Sequence, residues 1–207
     1  MDDNVRYYDE QAARFVRETL AVDLSASYAP FVRGLPAGGR VLDAGCGSGR
    51  DTAAFLRMGY RVTAFDASAG MVEAAARMVA ALGEEEQSRA RVIRATFVGF
   101  PPPDAPFNGI WACASLLHVR RAELSGVVGR LAGMLAPGGV FYASFKYGTQ
   151  EGERNGRYFN DYDENTFRRF LDALPSLKPL ELAVTHDARP GRENELWLNA
   201  YLRKETL

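Results

Sequence analysis

The residues with the most chemical content lie between positions 41 and 66. Val41-Leu42-Asp43-Ala44-Gly45-Cys46-Gly47-Ser48-Gly49 runs from an apolar stretch into a glycine-rich turn, and Asp66 closes the next apolar stretch. Alternating glycines let a ligand approach the backbone closely. Asp66 follows Gly47 by 19 residues. At that separation a carboxylate ending a second strand can accept hydrogen bonds from both hydroxyls of a ribose. The pair predicts a site for a nucleoside-containing cofactor at the C-terminal ends of the strands.

The spacing also discriminates between nucleosides. A dinucleotide fingerprint, G-x-G-x-x-G, needs glycine at position 50, where this chain has Arg50. The turn reads G-x-G-x-G and is preceded by Asp43. A carboxylate beside the turn repels a pyrophosphate and suits a cationic ligand. S-adenosylmethionine, with a sulfonium, an ammonium and no phosphate, fits better. A glycine-rich turn with no ligand is the plainer alternative.

A second group of residues falls where a substrate would meet that cofactor. His118 follows the fourth predicted strand, and an ordinary imidazole pKa of ~6.5 suits a general base near neutral pH. The alternative is that His118 opens the next helix and shapes the pocket. His186, near the end of the sixth strand, is a weaker candidate. Lys146 and Tyr147 end the fifth strand, Arg154, Arg157 and Tyr158 lie in the loop after it, and Arg189 and Arg192 sit in the last turn. These groups predict an anionic or polar small-molecule substrate. For any one of them the plainer reading is a solvated charge paired with Glu151, Glu153, Asp187 or Glu193.

The elements that must position these residues alternate. Apolar spacing predicts helices over 3–20 and 23–33, then the breaker Leu35–Gly39. Strands are predicted at 40–43, 60–65, 91–95, 109–115 and 140–145, with helices at 50–58, 68–82 and 120–136. Glu84–Gln87 reads as a solvated charge run in a loop, and Pro101-Pro102-Pro103 as a stiff turn. Pro137-Gly138-Gly139 is expected to stop the helix before it. Residues 146–160 are polar and glycine-rich, and read as a lid or a mobile loop. A helix at 163–174 with Asp163 as N-cap precedes strands at about 179–186 and 195–203, which should pair antiparallel. Strand–helix alternation implies an α/β fold with a parallel sheet covered on both faces. One domain over 1–207 is expected, with a helical cap at 1–36 and a core at 37–207 that carries the 146–160 loop.

Composition narrows the classes. The 207 residues, 47% hydrophobic and 25% charged, are those of an ordinary globular domain. With 25 basic against 26 acidic residues the net charge is −1, which argues against a dedicated nucleic-acid binder. The strand-four end, Ala114-Ser115-Leu116-Leu117, also lacks the D/N/S-P-P-Y/F pattern of base methylation. Two cysteines, Cys46 and Cys113, exclude a disulfide framework and a cysteine-rich zinc site, and no metal is expected. The polar N-terminus and the lack of ~20 consecutive apolar residues predict no leader, no membrane span and a cytoplasmic protein. No exposed apolar stripe indicates an oligomeric state.

On Asp43-Ala44-Gly45-Cys46-Gly47-Ser48-Gly49, Asp66 and the element order, the sequence resembles the class I S-adenosylmethionine-dependent methyltransferases. It looks closest to small bacterial ones of the tellurite-resistance-like and ubiquinone-biosynthesis-like kind, through stretches such as YYDEQA, WACASLLHV, PGGVFYASFK and RYFNDYDE. The resemblance implies a Rossmann-like, doubly wound, seven-stranded sheet whose last strand is antiparallel. It implies that Asp43 faces the methionine end of the cofactor, and that Ala44, Gly45, Cys46 and Gly47 line it with backbone groups. Asp66 would hold the ribose, with Ala67 beside the adenine and Met71 on its face. Thr96 and Phe97 stand where many members place an acid that reads the adenine amino group. Ala114 and Ser115 would lie beneath the cofactor, and Tyr7 and Tyr8 would close over it. Methyl transfer from a sulfonium is a direct displacement that needs alignment at ~3–3.5 Å, plus a base when the nucleophile is a hydroxyl. The leading expectation is methylation of a small molecule. The alternatives are a non-catalytic cofactor-binding module acting through partners, or methylation of RNA or protein.

Overall fold

The computed structural model describes residues 3–205. Nine strands and seven helices follow the expected alternation: α1 (Asp3–Thr19), α2 (Ser25–Arg33), β1 (Arg40–Ala44), α3 (Arg50–Arg57), β2 (Arg61–Asp66), α4 (Ala69–Ala80), α5 (Glu84–Ser88), β3 (Ala90–Arg94), β4 (Phe107–Ala112), α6 (Arg121–Gly133), β5 (Leu135–Lys146), β6 (Glu151–Arg154), β7 (Arg157–Asn160), α7 (Glu164–Leu171), β8 (Leu177–His186) and β9 (Leu196–Lys204). Seven strands form one sheet in the order β3-β2-β1-β4-β5-β9-β8. The five strands from β3 to β5 pair parallel, whereas β9 pairs antiparallel with both β5 and β8. The sheet is the Rossmann-like, doubly wound one that the family resemblance implies. The strand order reverses between β1 and β4, and that reversal opens the crevice in which such sheets bind ligands.

Alternation along the central strands explains why both faces are apolar. Val41, Trp111 and Tyr142 point to one face, where they pack with Tyr28, Phe31, Phe55 and Leu56 of α2 and α3. Leu42, Ile110 and Phe141 point to the other, against Leu124, Val128 and Leu131 of α6 and Phe167 and Leu171 of α7. Strands buried on both sides read as continuous apolar runs, as Gly109–Ala112 does. Trp111 is fully buried and stacks on Tyr142 with ring centroids 3.7 Å apart. Of the 1–36 segment, α1 lies over the strand ends and packs on α4 and β7, whereas α2 is part of the core layer.

Four local expectations are corrected. Strand four ends at Ala112 rather than Ser115, because the chain turns at Ala114, a non-glycine residue with φ 50°, into a 3-10 turn over Leu116–His118. The Pro137-Gly138-Gly139 segment lies inside β5: the helix ends at Gly133, and a register shift opposite Phe107 and Gly109 absorbs the irregular residues. Glu84–Ser88 is a short exposed helix, not a loop. Residues 146–160 are no open loop, since β6 and β7 pair as an antiparallel hairpin, Glu151 opposite Asn160 and Arg154 opposite Arg157. At Asp163 the expected N-cap is present as a capping box with Thr166.

Candidate functional site

The strand ends, α1 and the β6–β7 hairpin enclose a cavity of about 1120 Å³. Its floor is the glycine turn. Gly45, Gly47 and Gly49 have φ of 79°, 52° and 81°, a region only glycine enters at little cost. A Cβ on Gly45 would sit 2.5 Å from the Cβ of Ser115, so the turn and the end of β4 touch backbone to side chain. Ser115 Oγ donates to the Ala44 carbonyl at 2.6 Å and fixes that approach.

Asp66 borders the turn. Its carboxylate accepts the Gly47 amide at 3.0 Å and the Ser68 amide at 2.9 Å. Burial raises its pKa above the ordinary carboxylate value, against the lowering effect of those amides. Helix α1 is pinned to the same corner, because Asp9 accepts from Ser68 Oγ at 2.6 Å and from the Gly70 amide at 3.2 Å. Phe15, one helical face further on, reaches the space over Gly47.

The roof is a hydrogen-bonded chain between α1, the turn after β4 and the hairpin. His118 Nδ1 lies 2.7 Å from the Tyr158 carbonyl. A carbonyl only accepts, so Nδ1 carries the proton and Nε2 is the acceptor. Tyr8 therefore donates its hydroxyl proton to Nε2, at 2.8 Å. Arg157 Nη1 in turn donates to the Tyr8 oxygen at 3.2 Å. Asn4 bridges the same layers, donating to the His118 carbonyl and accepting from the Tyr158 amide. Burial pushes the His118 pKa down to about 4, with the Tyr158 carbonyl opposing and Arg157 adding to the fall. The expectation of a free imidazole with an ordinary pKa is thereby corrected: the ring is neutral and its basic lone pair is occupied.

Of the residues singled out from the sequence, Tyr8, Gly45, Cys46, Gly47, Asp66, Ala67, Met71, Thr96, Phe97, Ala114, Ser115, His118, Lys146, Arg154, Arg157, Tyr158, His186, Arg189 and Arg192 line the cavity, whereas Ala44 is buried behind it with its carbonyl bonded to Ser115. Tyr7 does not; its ring lies against the Arg157 guanidinium at 4.6 Å. Asp43 does not face a ligand either. It is 2% exposed, accepts from Thr52 Oγ1 at 2.6 Å, and burial raises its pKa. Tyr147 points away from the cavity to Glu164, 2.9 Å from its hydroxyl. Tyr158 turns its hydroxyl to Glu151 and the Arg121 amide. His186 is exposed, with Nδ1 bonded to the Glu193 carbonyl.

The basic residues are mostly spoken for. Lys146 pairs with Asp187 and Glu195, Arg189 with Asp187 at 2.5 Å, Arg192 with Glu195 at 3.6 Å, and Arg154 with Asp161 at 2.5 Å. Burial would raise the Asp187 carboxyl, but hydrogen bonds from Arg189 and Trp197 bring it well below the ordinary range. Sequence reasoning missed Asp9, Phe15 and Trp197, which line or lock the site from distant segments. It also missed Arg50, which lines the cavity and is held by the buried Asp51 at 2.6 Å. Asp51 accepts from Tyr28 and Trp111 as well, which with Arg50 overcome the effect of burial and lower its pKa. The one available signal was Asp9, next in sequence to the aromatic pair at 7 and 8.

A methyltransferase-domain family matches residues 41–139, from β1 through the glycine turn to the start of β5's regular part. Over those residues the chain carries a methyltransferase domain. It is 29% identical over 151 residues to an uncharacterized methyltransferase of Geobacillus kaustophilus, covering 68% of this chain and 67% of that protein. It is 33% identical over 105 residues to the ubiquinone biosynthesis O-methyltransferase of Methylocella silvestris, covering 51% of this chain but only 39% of the relative's length. The fold is similar to that of a Burkholderia thailandensis 1,6-didemethyltoxoflavin-N1-methyltransferase crystallised with bound 1,6-didemethyltoxoflavin and S-adenosylhomocysteine: TM-score 0.73, 24% identity, 99% of this chain and 86% of that one. That structure and other solved methyltransferases of this fold carry S-adenosylmethionine or its product S-adenosylhomocysteine. The donor set of this chain suits S-adenosylmethionine, with a glycine cradle that a Cβ would fill, one carboxylate beside it and apolar walls at Met71 and Phe97. No helix of the chain, among the described residues, is long and apolar enough to cross a membrane.

Proposed function

We propose that the protein transfers a methyl group from S-adenosylmethionine to a small molecule bound between the strand ends, α1 and the β6–β7 hairpin. The observation that carries this reading is the roof: Asn4 and Tyr8 of α1 are hydrogen-bonded to His118 and to the hairpin at Tyr158 and Arg157. A cavity covered from two sides admits a metabolite-sized acceptor more readily than a folded macromolecule.

When bound, the cofactor supplies a methyl group on a sulfonium, which a nucleophile takes by direct displacement. In this reading the chain's work is alignment and exclusion of water. The backbone of Gly45, Cys46 and Gly47 receives the methionine end, and the Asp66 carboxylate the ribose hydroxyls. Ala67, Met71 and Phe97 enclose the adenine. Thr96 Oγ1 already accepts the Gly99 amide and keeps its own proton to donate. Ala114 and Ser115 support the cofactor from below. Asp43 acts at one remove, by tying β1 to Thr52 of α3 and so fixing the turn between them. His118 is a positioning residue rather than the base. It takes the Tyr8 proton, so the Tyr8 oxygen turns only a lone pair to the cavity and accepts a hydrogen bond from the nucleophile.

Calorimetry and a product screen test the reading together. S-adenosylhomocysteine binds the wild type and is weakened in Asp66→Ala. A metabolite panel incubated with S-adenosylmethionine yields S-adenosylhomocysteine for at least one small acceptor. Binding with no turnover on any small molecule, but turnover on RNA or protein, overturns the substrate class.

A further inference from the structure

Arg157 differs from the other cations of the cavity. Lys146, Arg154, Arg189 and Arg192 each face a carboxylate, as do Arg50 and Arg6. Arg120 is exposed at the rim. Arg157 faces no carboxylate among the described residues. Its Cζ lies 4.6 Å from the Tyr7 ring centroid and 5.0 Å from that of Phe159. One nitrogen, Nη1, bonds Tyr8. Nε is buried and has no hydrogen-bond partner, the single such side-chain atom among the described residues. A guanidinium among aromatic rings with an unmet buried donor is costly unless an anion completes it.

The shape of the unmet edge specifies the anion. With Nη1 engaged, Nε and Nη2 remain as a parallel pair of donors, the side-on fork that matches the two oxygens of a carboxylate. Arg120, the other cavity cation without a carboxylate among the described residues, lies exposed over the Tyr158 ring, so the buried edge carries one positive charge and suits a monoanion better than a phosphate. The adjoining surface is aromatic: His118 lies 5.0 Å from Phe159 and 5.5 Å from Tyr8, centroid to centroid.

We propose that the Nε–Nη2 edge of Arg157 binds the carboxylate of the methyl acceptor, and that the acceptor is an aromatic carboxylic acid. The proposal rests on the small-molecule reading above and narrows its substrate class. It also reduces the anion-binding set expected from the sequence to one side chain, because Lys146, Arg154, Arg189 and Arg192 are neutralised within the protein. A second source of the same chemistry is the methionine carboxylate of the cofactor, and the experiment separates the two.

Benzoate is titrated into the full chain, with and without S-adenosylhomocysteine, by calorimetry and saturation-transfer NMR, with benzyl alcohol as the neutral control. The wild type binds benzoate and not benzyl alcohol. Arg157→Gln weakens benzoate about tenfold or more, and Arg157→Lys, which keeps the charge but not the fork, weakens it less. S-adenosylhomocysteine affinity stays within about threefold of wild type in both variants. Thermal melts check folding, and Arg157→Lys carries the test should the glutamine variant not fold. Three results overturn the proposal: no benzoate binding by the wild type, benzoate binding indifferent to Arg157, or a tenfold loss of S-adenosylhomocysteine with benzoate unchanged, which assigns the edge to the cofactor. Loss of S-adenosylhomocysteine binding in the wild type alone, with benzoate binding intact, overturns the cofactor reading instead and leaves this subsite standing.

Discussion

The Tyr8 hydroxyl donates to Nε2 of His118 at 2.8 Å, across 110 residues of sequence. This one bond decides what the histidine does. Its other nitrogen is committed to the Tyr158 carbonyl, so the imidazole is held as a single neutral tautomer between α1 and the hairpin. A ring of that kind aligns its neighbours and is a poor proton acceptor near neutral pH.

The pH dependence of stability follows from the same bond. His118 titrates at about 4 in the folded protein and near 6.5 when unfolded. Between those values the unfolded chain binds the extra proton, so stability falls as pH drops from about 6.5 to about 4. The full effect is about 3 kcal/mol. In His118→Phe the neighbours lose a bond at every pH, but this slope disappears. Urea unfolding of both proteins between pH 4 and pH 7 should show the gap between them narrowing as the pH falls. A gap constant with pH contradicts the neutral, buried ring.

Asp66 joins cofactor binding to folding of the turn. The Gly47 and Ser68 amides bond different oxygens of Asp66, so Asp66→Asn keeps an acceptor for one of them and turns an N–H to the other, whereas Asp66→Ala leaves both without one. Loss of a charged acceptor costs about 1.5–3 kcal/mol, so S-adenosylhomocysteine should bind about ten- to a hundredfold more weakly in either variant. Both variants should also lose thermal stability, since neither keeps acceptors for both amides. Equal affinity for wild type and Asp66→Ala counts against the ribose role.

Gly45 tests the close approach of the turn to β4. Gly45→Ala meets both a positive φ of 79° and a Cβ contact of 2.5 Å with Ser115. Strain of about 1–3 kcal/mol is expected, together with weakened cofactor binding. Combining it with Ser115→Gly relieves the contact but not the dihedral, so recovery should be partial. Full recovery places the whole cost in the contact.

Asp187 is the hub of the far wall, bonded to Lys146, Arg189 and Trp197. Asp187→Asn removes one charge from a buried cluster and leaves two cations with less compensation. A loss of about 2–3 kcal/mol in unfolding free energy is expected, little changed by salt because the cluster is buried. A neutral effect in 1 M salt and in low salt alike indicates that the cluster contributes no net stability.

Much of this protein was legible in the chain because much of it is local. Periodic burial specifies a strand or helix from a window of ten residues, and a glycine turn followed by Asp66 specifies the corner where two strands end. The misreadings had local causes too: Pro137–Gly139 reads as a stop, yet pairing with β4 carries the strand through it, and the 146–160 loop becomes a hairpin because its two halves pair with each other. Tertiary structure alone decided the state of the site. Whether His118 keeps a free lone pair depends on Tyr8, whether Lys146 is neutralised depends on Asp187, and what holds Arg157 depends on Tyr8, 149 residues away. Such pairings depend on distances of a few ångströms between segments remote in sequence. Residue type and spacing brought the candidates together; the packing of α1 and the hairpin over the strand ends left Arg157 Nε buried without a hydrogen-bond partner among the described residues.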